Sequence, residues 1–288
     1  MKLKKTILIT GHKGMLGSCF NKHAIQNFNL AFLKNDTDIT DLKNVQNQLN
    51  EVQPHIIIHT AAYTDVDGCE LNHKKALNVN VNATSNIVDY CNKNKTKLIY
   101  FSSTGIYGDY KKKAYIETDS PKPTTMHHQS KWLAEKYIKQ SLNNFLILRV
   151  GWLYGGHLMH KNNFVYKRFK EAQSKNIIHS SSEQIGNPTN CEEVVQQTLL
   201  LLQCNKKGIF NCVNSGVNIS RFDYVKEIIT NSIPKCIVKK ADPNSFNRPA
   251  PVSSNESAIN KKLIENDLNI MSDWKIALKH YIKEKNMC

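Results

Sequence analysis

The sequence predicts an α/β fold, a doubly wound parallel sheet with helices on both faces and a smaller C-terminal lobe. Three observations predict it. A short apolar run at 6–10 empties straight into a glycine-spaced turn; short apolar runs then alternate with helical stretches as far as Val150; beyond that residue the alternation loosens. Taken in order, the runs 6–10, 30–33, 56–60, 98–102 and 145–150 are strands, because near-continuous apolar strands separated by helices belong to a sheet buried on both faces. The helices between them are 18–27, 42–52, 76–92 and 129–141. After Val150, 151–156 reads as a turn-rich loop, 164–175 and 191–203 as helices, 208–213 as a strand, and 220–232 and 269–285 as helices. An irregular stretch at 242–257, with Pro243, Pro249 and Pro251, separates the last two. No repeat or low-complexity linker divides the chain.

Composition narrows the function classes. With 288 residues, 40% of them hydrophobic, the chain can bury a core. No apolar run approaches the roughly 18 residues of a membrane span, and Met1-Lys2-Leu3-Lys4-Lys5 leads into the first strand without a signal-peptide core, so the expected location is the cytoplasm, with no membrane partner. The eight cysteines (Cys19, Cys69, Cys91, Cys191, Cys204, Cys212, Cys236, Cys288) are scattered without a Cys-x-x-Cys pair. They are expected to be reduced and mostly buried, with no metal site. The formal charge of +15 would suit a nucleic-acid binder, yet the lysines come singly or in short groups without interleaved aromatics. They read as a solvated surface, and no nucleic-acid partner is expected.

The turn Gly11-His12-Lys13-Gly14-Met15-Leu16-Gly17 carries the first chemical signal. Glycines spaced three apart between a strand and a helix let the backbone turn tightly and approach a phosphate, and the pyrophosphate of a dinucleotide then rests on the helix N-terminus. Small Ala61 and Ala62 past the third strand leave room for a ribose, and Asn78, Asn80 and Ala83 lie on a helix running under it. The fourth strand ends in Ser102-Ser103-Thr104, hydroxyls placed to hydrogen-bond a carbonyl oxygen under reduction, and a later helix carries Ser130-Lys131. Residues 1–150 are thus expected to form a dinucleotide-binding Rossmann core. Residues 151–288 are expected to be mainly a substrate-binding lobe, interleaved with late core elements.

These motifs resemble the dTDP-4-dehydrorhamnose reductase branch of the extended short-chain dehydrogenases, within the NAD-dependent epimerase/dehydratase superfamily, over essentially the whole chain. The resemblance rests on the glycine turn, Asp38-Ile39-Thr40-Asp41, Ala61-Ala62-Tyr63-Thr64 with Val66-Asp67 and Glu70, Ser102-Ser103, and Pro123 leading to Ser130-Lys131 and Glu135. It continues through Arg149-Val150-Gly151-Trp152-Leu153-Tyr154, Asn163-Phe164, Gln184-Ile185-Gly186-Asn187-Pro188-Thr189, 208–211 and Arg248-Pro249. In such enzymes a nicotinamide cofactor reduces the 4-keto group of a nucleotide-linked 6-deoxyhexose. The resemblance implies that Gly11, Lys13, Gly14, Met15, Leu16 and Gly17 hold the pyrophosphate, that Asp38 and Ile39 line the adenine pocket, and that Ala62, Tyr63 and Thr64 face the cofactor. Ser103 would meet the carbonyl oxygen, Lys131 the nicotinamide ribose, and Trp152 and Arg248 the sugar nucleotide. Where NAD-selective folds often carry an acid after the second strand, this chain has Lys34-Asn35, which favours a 2′-phosphate and so NADP(H) over NAD(H).

One position departs from the pattern. Four residues before Lys131 stands His127, followed by His128, where the family has tyrosine and glycine. If imidazolium replaces the phenol as general acid, the chain is a reductase with Ser103, His127 and Lys131 as its catalytic group. If it does not, the chain is a dinucleotide-binding subunit resembling the regulatory subunit of methionine adenosyltransferase. Tyr107 and Tyr115, near the expected cleft, lack the lysine four positions later, and Tyr107 reads as a packing residue. An epimerase or dehydratase is disfavoured because those relatives also use the tyrosine. The nucleotide, the sugar, and the choice between a homodimer and a catalytic partner subunit stay open.

Overall fold

The computed structural model describes every residue except 1–3, 24–27, 35–36, 243–244 and 246–247. The end of the expected first helix, Asn35 and Pro243 therefore lie outside the described residues. β1 (Thr6–Thr10) passes through the glycine turn into α1 (Met15–His23), followed by β2 (Asn29–Phe32), α2 (Leu42–Val52) and β3 (Ile56–His59). Next come α3 (Val66–Leu71), α4 (His73–Leu77), a π turn at Asn78–Asn82 and α5 (Ala83–Asn94). β4 (Lys97–Ser103) then leads through a 3-10 turn at Thr104–Tyr107 to α6 (Met126–Ser141) and β5 (Phe145–Val150). The second half adds β6 (Trp152–Tyr154), α7 (Phe164–Ser174), β7 (Ile177–Ser180), β8 (Pro188–Asn190), α8 (Cys191–Gln203) and β9 (Gly208–Cys212). It ends with α9 (Arg221–Ser232), β10 (Ile237–Lys240), α10 (Lys261–Glu265) and α11 (Trp274–Glu284).

Six parallel strands form one sheet in the order β2-β1-β3-β4-β5-β9. Their alternating side chains divide between two cores, as a two-residue period requires. Ile7, Ile9, Ile58, Ile99 and Leu148 pack on Phe20 of α1 and Val194 and Leu201 of α8. On the other face, Leu8, Ile57, Tyr100 and Ile147 pack on Leu49 of α2, Ile87 of α5 and Ile138 of α6. The strand order reverses between β1 and its neighbours β2 and β3, and a crevice opens at the carboxyl ends of the strands where the order reverses. A third core, built on Tyr154, Tyr224, Trp274 and Tyr281, holds α7, α9 and α11 together beside the sheet.

Several local expectations change. The loop at 151–156 contains β6, which pairs in parallel with β8, and β7 pairs with β10. Both are pairs between distant short segments, which local patterning does not reveal. α6 begins at Met126, before the expected 129, because the Thr125 hydroxyl caps it by accepting from the His128 N–H. His127 and His128 thus sit in the first turn of this helix. α11 starts only at Trp274, where Asp273 caps it. Cys204 and Cys288 are exposed, the other six cysteines are buried, and all are free thiols. Among the described residues no helix is long and apolar enough to cross a membrane.

Candidate active site

A cleft of about 1130 Å³ runs along the carboxyl ends of the strands, from the glycine turn to Trp152 and Arg248. Of the sequence-predicted site residues it gathers all but Tyr63. At its floor the glycines do different work. Gly11 has φ +67°, and a Cβ there would lie 2.7 Å from the Ala61 N–H nitrogen, so the turn after β1 presses on the loop after β3. A Cβ on Gly17 would run into the Gly11 carbonyl, whereas one on Gly14 would meet only that carbonyl oxygen, at 3.2 Å. Gly14 therefore borders open cleft, and helix geometry leaves the N–H groups of the first turn of α1 without intrahelical partners. Backbone N–H groups facing open cleft in this way suit an anion such as a phosphate.

The end of the cleft at Lys34 and Asp38 is polar and open. Asp38 Oδ1 accepts from the N–H and the hydroxyl of Thr40, both at 2.8 Å, and these bonds hold its carboxyl below the usual range. Lys34 lines the cleft, and its 3.7 Å pairing with Glu51 joins two well-exposed groups, a contact too weak to hold it from an anion. Ala62 and Thr64 line the middle. Tyr63, expected to face the cofactor, is not among the cleft-lining residues: its ring lies under the Lys75 ammonium, 4.6 Å away, and its backbone is gripped by Asn80.

At the far end the helix start of α6 meets the end of β4. Ser103 Oγ accepts from the Gly105 N–H at 3.2 Å, leaving its own proton to donate. Lys131 is 6% exposed, with its ammonium 4.3 Å from the Tyr100 ring centroid. Burial brings its pKa down to about 7 against the pull of Glu135 and Cys69. His127 is buried with Nδ1 3.2 Å from the Tyr63 carbonyl oxygen. Burial first, then His128 and Lys131, hold its pKa well below the ordinary histidine value. Burial therefore opposes the charged imidazolium that the expectation of a histidine acid calls for. His128 packs its ring against Gly105, with Nδ1 3.1 Å from Thr125 Oγ1 and 3.9 Å from Glu256 Oε1, so it adds a wall to the cleft.

Neither candidate tyrosine fills the gap. Tyr107 is fully buried, donates to Asn211 Oδ1 at 2.7 Å, accepts from Arg149 at 3.0 Å and stacks on Tyr115 at 4.9 Å. Among the described residues no tyrosine lines the cleft.

Around the expected Trp152 and Arg248 the lobe adds cleft residues that the sequence did not announce: Arg221, Glu256, His160 and Asn162. Trp152 donates from Nε1 to Glu256 Oε2 at 2.9 Å, and the Arg221 guanidinium lies 3.5 Å from the Trp152 ring centroid. Arg248 pairs with Asp67 at 3.0 Å, a half-exposed contact across the cleft mouth. A strap before α7 crosses to the glycine turn and the loop after β3: His160 Nε2 donates to the Lys13 carbonyl at 3.0 Å, and Asn162 donates to Thr64 Oγ1 at 2.9 Å. Arg221, Glu256 and the strap residues come from separate segments with no shared spacing, so no local signal marks them.

A family model described as the RmlD substrate binding domain matches residues 5–287. The dTDP-4-dehydrorhamnose reductase of Aggregatibacter actinomycetemcomitans is 26% identical over 294 residues, covering 95% of this chain and 97% of that protein. The spore coat polysaccharide biosynthesis protein SpsK of Bacillus subtilis is 25% identical over 282 residues, 97% of this chain and 98% of that one. The structure of the Bacillus anthracis dTDP-4-dehydrorhamnose reductase in complex with NADP superposes with a TM-score of 0.91 at 26% identity, over 98% of this chain and 100% of that chain. At 17% identity, a UDP-glucose 4-epimerase of Thermotoga maritima (TM-score 0.81, 98% of each chain) shares the fold. The match spans the sheet, the cleft and the lobe alike, and the chain belongs to the RmlD substrate binding domain family, within the extended short-chain dehydrogenase fold.

Proposed function

We propose that this protein is an NADP(H)-dependent reductase of the 4-keto group of a nucleotide-linked deoxysugar, of the dTDP-4-dehydrorhamnose reductase kind. The observation that carries the reading is one continuous cleft joining the backbone cradle at Gly14 to Ser103, His127, Lys131 and Trp152. NADPH, when bound, supplies the hydride. Gly11, Lys13, Gly14, Met15, Leu16 and Gly17 hold the pyrophosphate, Lys34 takes the 2′-phosphate, and Asp38 and Ile39 border the adenine; NAD(H) lacks the group Lys34 would read. Ala62 and Thr64 pack on the cofactor, Lys131 holds the nicotinamide ribose, and Ser103 donates to the substrate carbonyl. Trp152 and Arg248 contact the sugar nucleotide, and His127 stands where relatives use tyrosine. In this reading residues 1–150 carry the cofactor and 151–288 mainly the substrate.

The test is NADPH oxidation by the purified protein against a panel of 4-keto-6-deoxy nucleotide sugars, with oxidation expected for at least one. A second reading, a cofactor-binding regulatory subunit, draws support from the absence of any cleft-lining tyrosine among the described residues. It expects NADPH binding without turnover of any sugar in the panel, and co-purification with a catalytic subunit.

A further inference from the structure

We propose that Asn80 is the positioning residue that fixes the proton of His127 on Nδ1, and that the Lys131 ammonium, in place of the imidazole, delivers the proton to the carbonyl oxygen. The donor half of this proposal rests on the reductase reading.

Asn80 is 1% exposed and sits in the π turn between α4 and α5. Its Oδ1 accepts from the Tyr63 N–H at 2.8 Å, and its Nδ2 donates to the Tyr63 carbonyl at 3.0 Å and to Ser130 Oγ at 2.9 Å. Ser130 in turn donates to the His127 carbonyl at 2.7 Å. One amide therefore grips both the carbonyl that His127 faces and the helix turn that carries His127. A carbonyl oxygen can only accept, so His127 Nδ1, 3.2 Å from it, carries the hydrogen. A neutral imidazole has a single N–H, and Nε2 is left as a lone pair. From that nitrogen His127 accepts a hydrogen bond and cannot give one.

Adding a second proton would charge a buried ring beside Lys131 and His128, which is why its pKa lies low. Lys131 lines the same end of the cleft and keeps ammonium donors that burial makes easier to give up. The charged or titratable groups packed near it are Glu135, His127 and His128 on its own helix, Cys69 on α3, His59 on β3 and Tyr100 on β4. In the step, a Lys131 N–H bond breaks and an O–H bond forms on the substrate. The carbonyl carbon takes the hydride, with its electron pair, as the C=O π pair moves to that oxygen. Lys131 is left as a neutral amine and regains its proton from water.

Nitrogen-15 NMR of histidine-labelled protein, with the His127 signals assigned from His127→Gln, reads the tautomer without any turnover. Wild type is expected to show protonated Nδ1 and bare Nε2 at neutral pH. Asn80→Ala should give a tautomer mixture, and Cys69→Ala, which removes only a neighbouring thiol, should leave the tautomer unchanged. A wild-type His127 protonated on Nε2, or an Asn80→Ala signal identical to wild type, would overturn the positioning role. For the donor, kcat is expected to fall as pH rises through about 7 in wild type and in His127→Phe, and Lys131→Arg should lower kcat about 10²–10⁴-fold without that limb. A limb lost in His127→Phe but kept in Lys131→Arg overturns the assignment to Lys131. Absence of turnover across the sugar panel overturns the donor half with the reductase reading, while the tautomer result still decides the role of Asn80.

Discussion

The two ends of the cleft are built from different materials. The end at the glycine turn is mostly backbone: glycines at 11 and 17 set by close approach, Gly14 bordering open cleft, and helix N–H groups free by geometry. The other, chemical end draws on buried ionisable side chains: His59, His127, His128, Lys131 and the Arg149–Glu135 pair. Backbone sites tolerate changes of charge and fail on changes of bulk, whereas the buried charge cluster fails on the removal of one partner. Changes at the first end should therefore alter binding with little loss of stability, and changes at the second should alter stability, ionisation and turnover.

The largest effect should come from Glu135→Ala. Arg149 donates to both Glu135 oxygens, at 3.1 and 2.8 Å, with each side chain nearly sealed from water. Leaving Arg149 buried without that fork should destabilise the fold by about 3–5 kcal/mol, read as a lower urea midpoint. A loss under about 1 kcal/mol would show that the chemical end is not held by charge pairing.

Gly14→Val should raise the Kd for NADPH by roughly a hundredfold or more, equivalent to about 2.7 kcal/mol, with an unchanged urea midpoint. The added methyls would fill the cradle, while the backbone there needs no positive φ. Undiminished NADPH affinity in a folded variant would place the phosphates elsewhere.

His59 sharpens the contrast through pH. Its Nδ1 lies 2.7 Å from Thr10 Oγ1 and its Nε2 3.0 Å from Thr84 Oγ1, and burial pulls its pKa down to about 3. The unfolded chain takes up a proton below about 6.5 that the folded chain refuses, so stability present above that pH is lost as pH falls toward 3. By pH 5 the loss is roughly 2 kcal/mol, and the decline in unfolding free energy from pH 6.5 to 5 should be shallower in His59→Gln. Equal slopes in the two proteins would mean that His59 titrates normally.

Smaller still, Lys34→Ala should reduce the preference for NADPH over NADH by about tenfold with no change in stability, because its pairing with Glu51 is exposed. Titration of both cofactors reads this directly, and an unchanged ratio would remove Lys34 from the 2′-phosphate site.

The same contrast explains what could be read in advance. The sheet and the glycine turn are local patterns: three isoleucines at 56–58, or glycines three apart, carry their meaning within a few residues. The lobe wall of Trp152, Arg221 and Glu256 forms only when 152, 221 and 256 are brought together, and β6–β8 and β7–β10 pair across long separations. The spacing of His127 and Lys131 is visible in the sequence, but the ionisation of His127 is not. It is set by burial and by neighbours, and its proton by the Tyr63 carbonyl contributed from the loop after β3. Asn80 showed itself only as an asparagine on a helix, and it is the fold that turns it into a buried clamp.

The reductase reading is tested most directly by following the transferred hydrogen. Protein supplied with NADPH deuterated at the transferable C4 position and a dTDP-4-keto-6-deoxy sugar should yield a 4-hydroxy sugar carrying deuterium at its C4, detected by mass spectrometry, and Lys131→Met should yield almost none. A protein that binds NADPH tightly yet returns every keto sugar in the panel unreduced and unlabelled would contradict it.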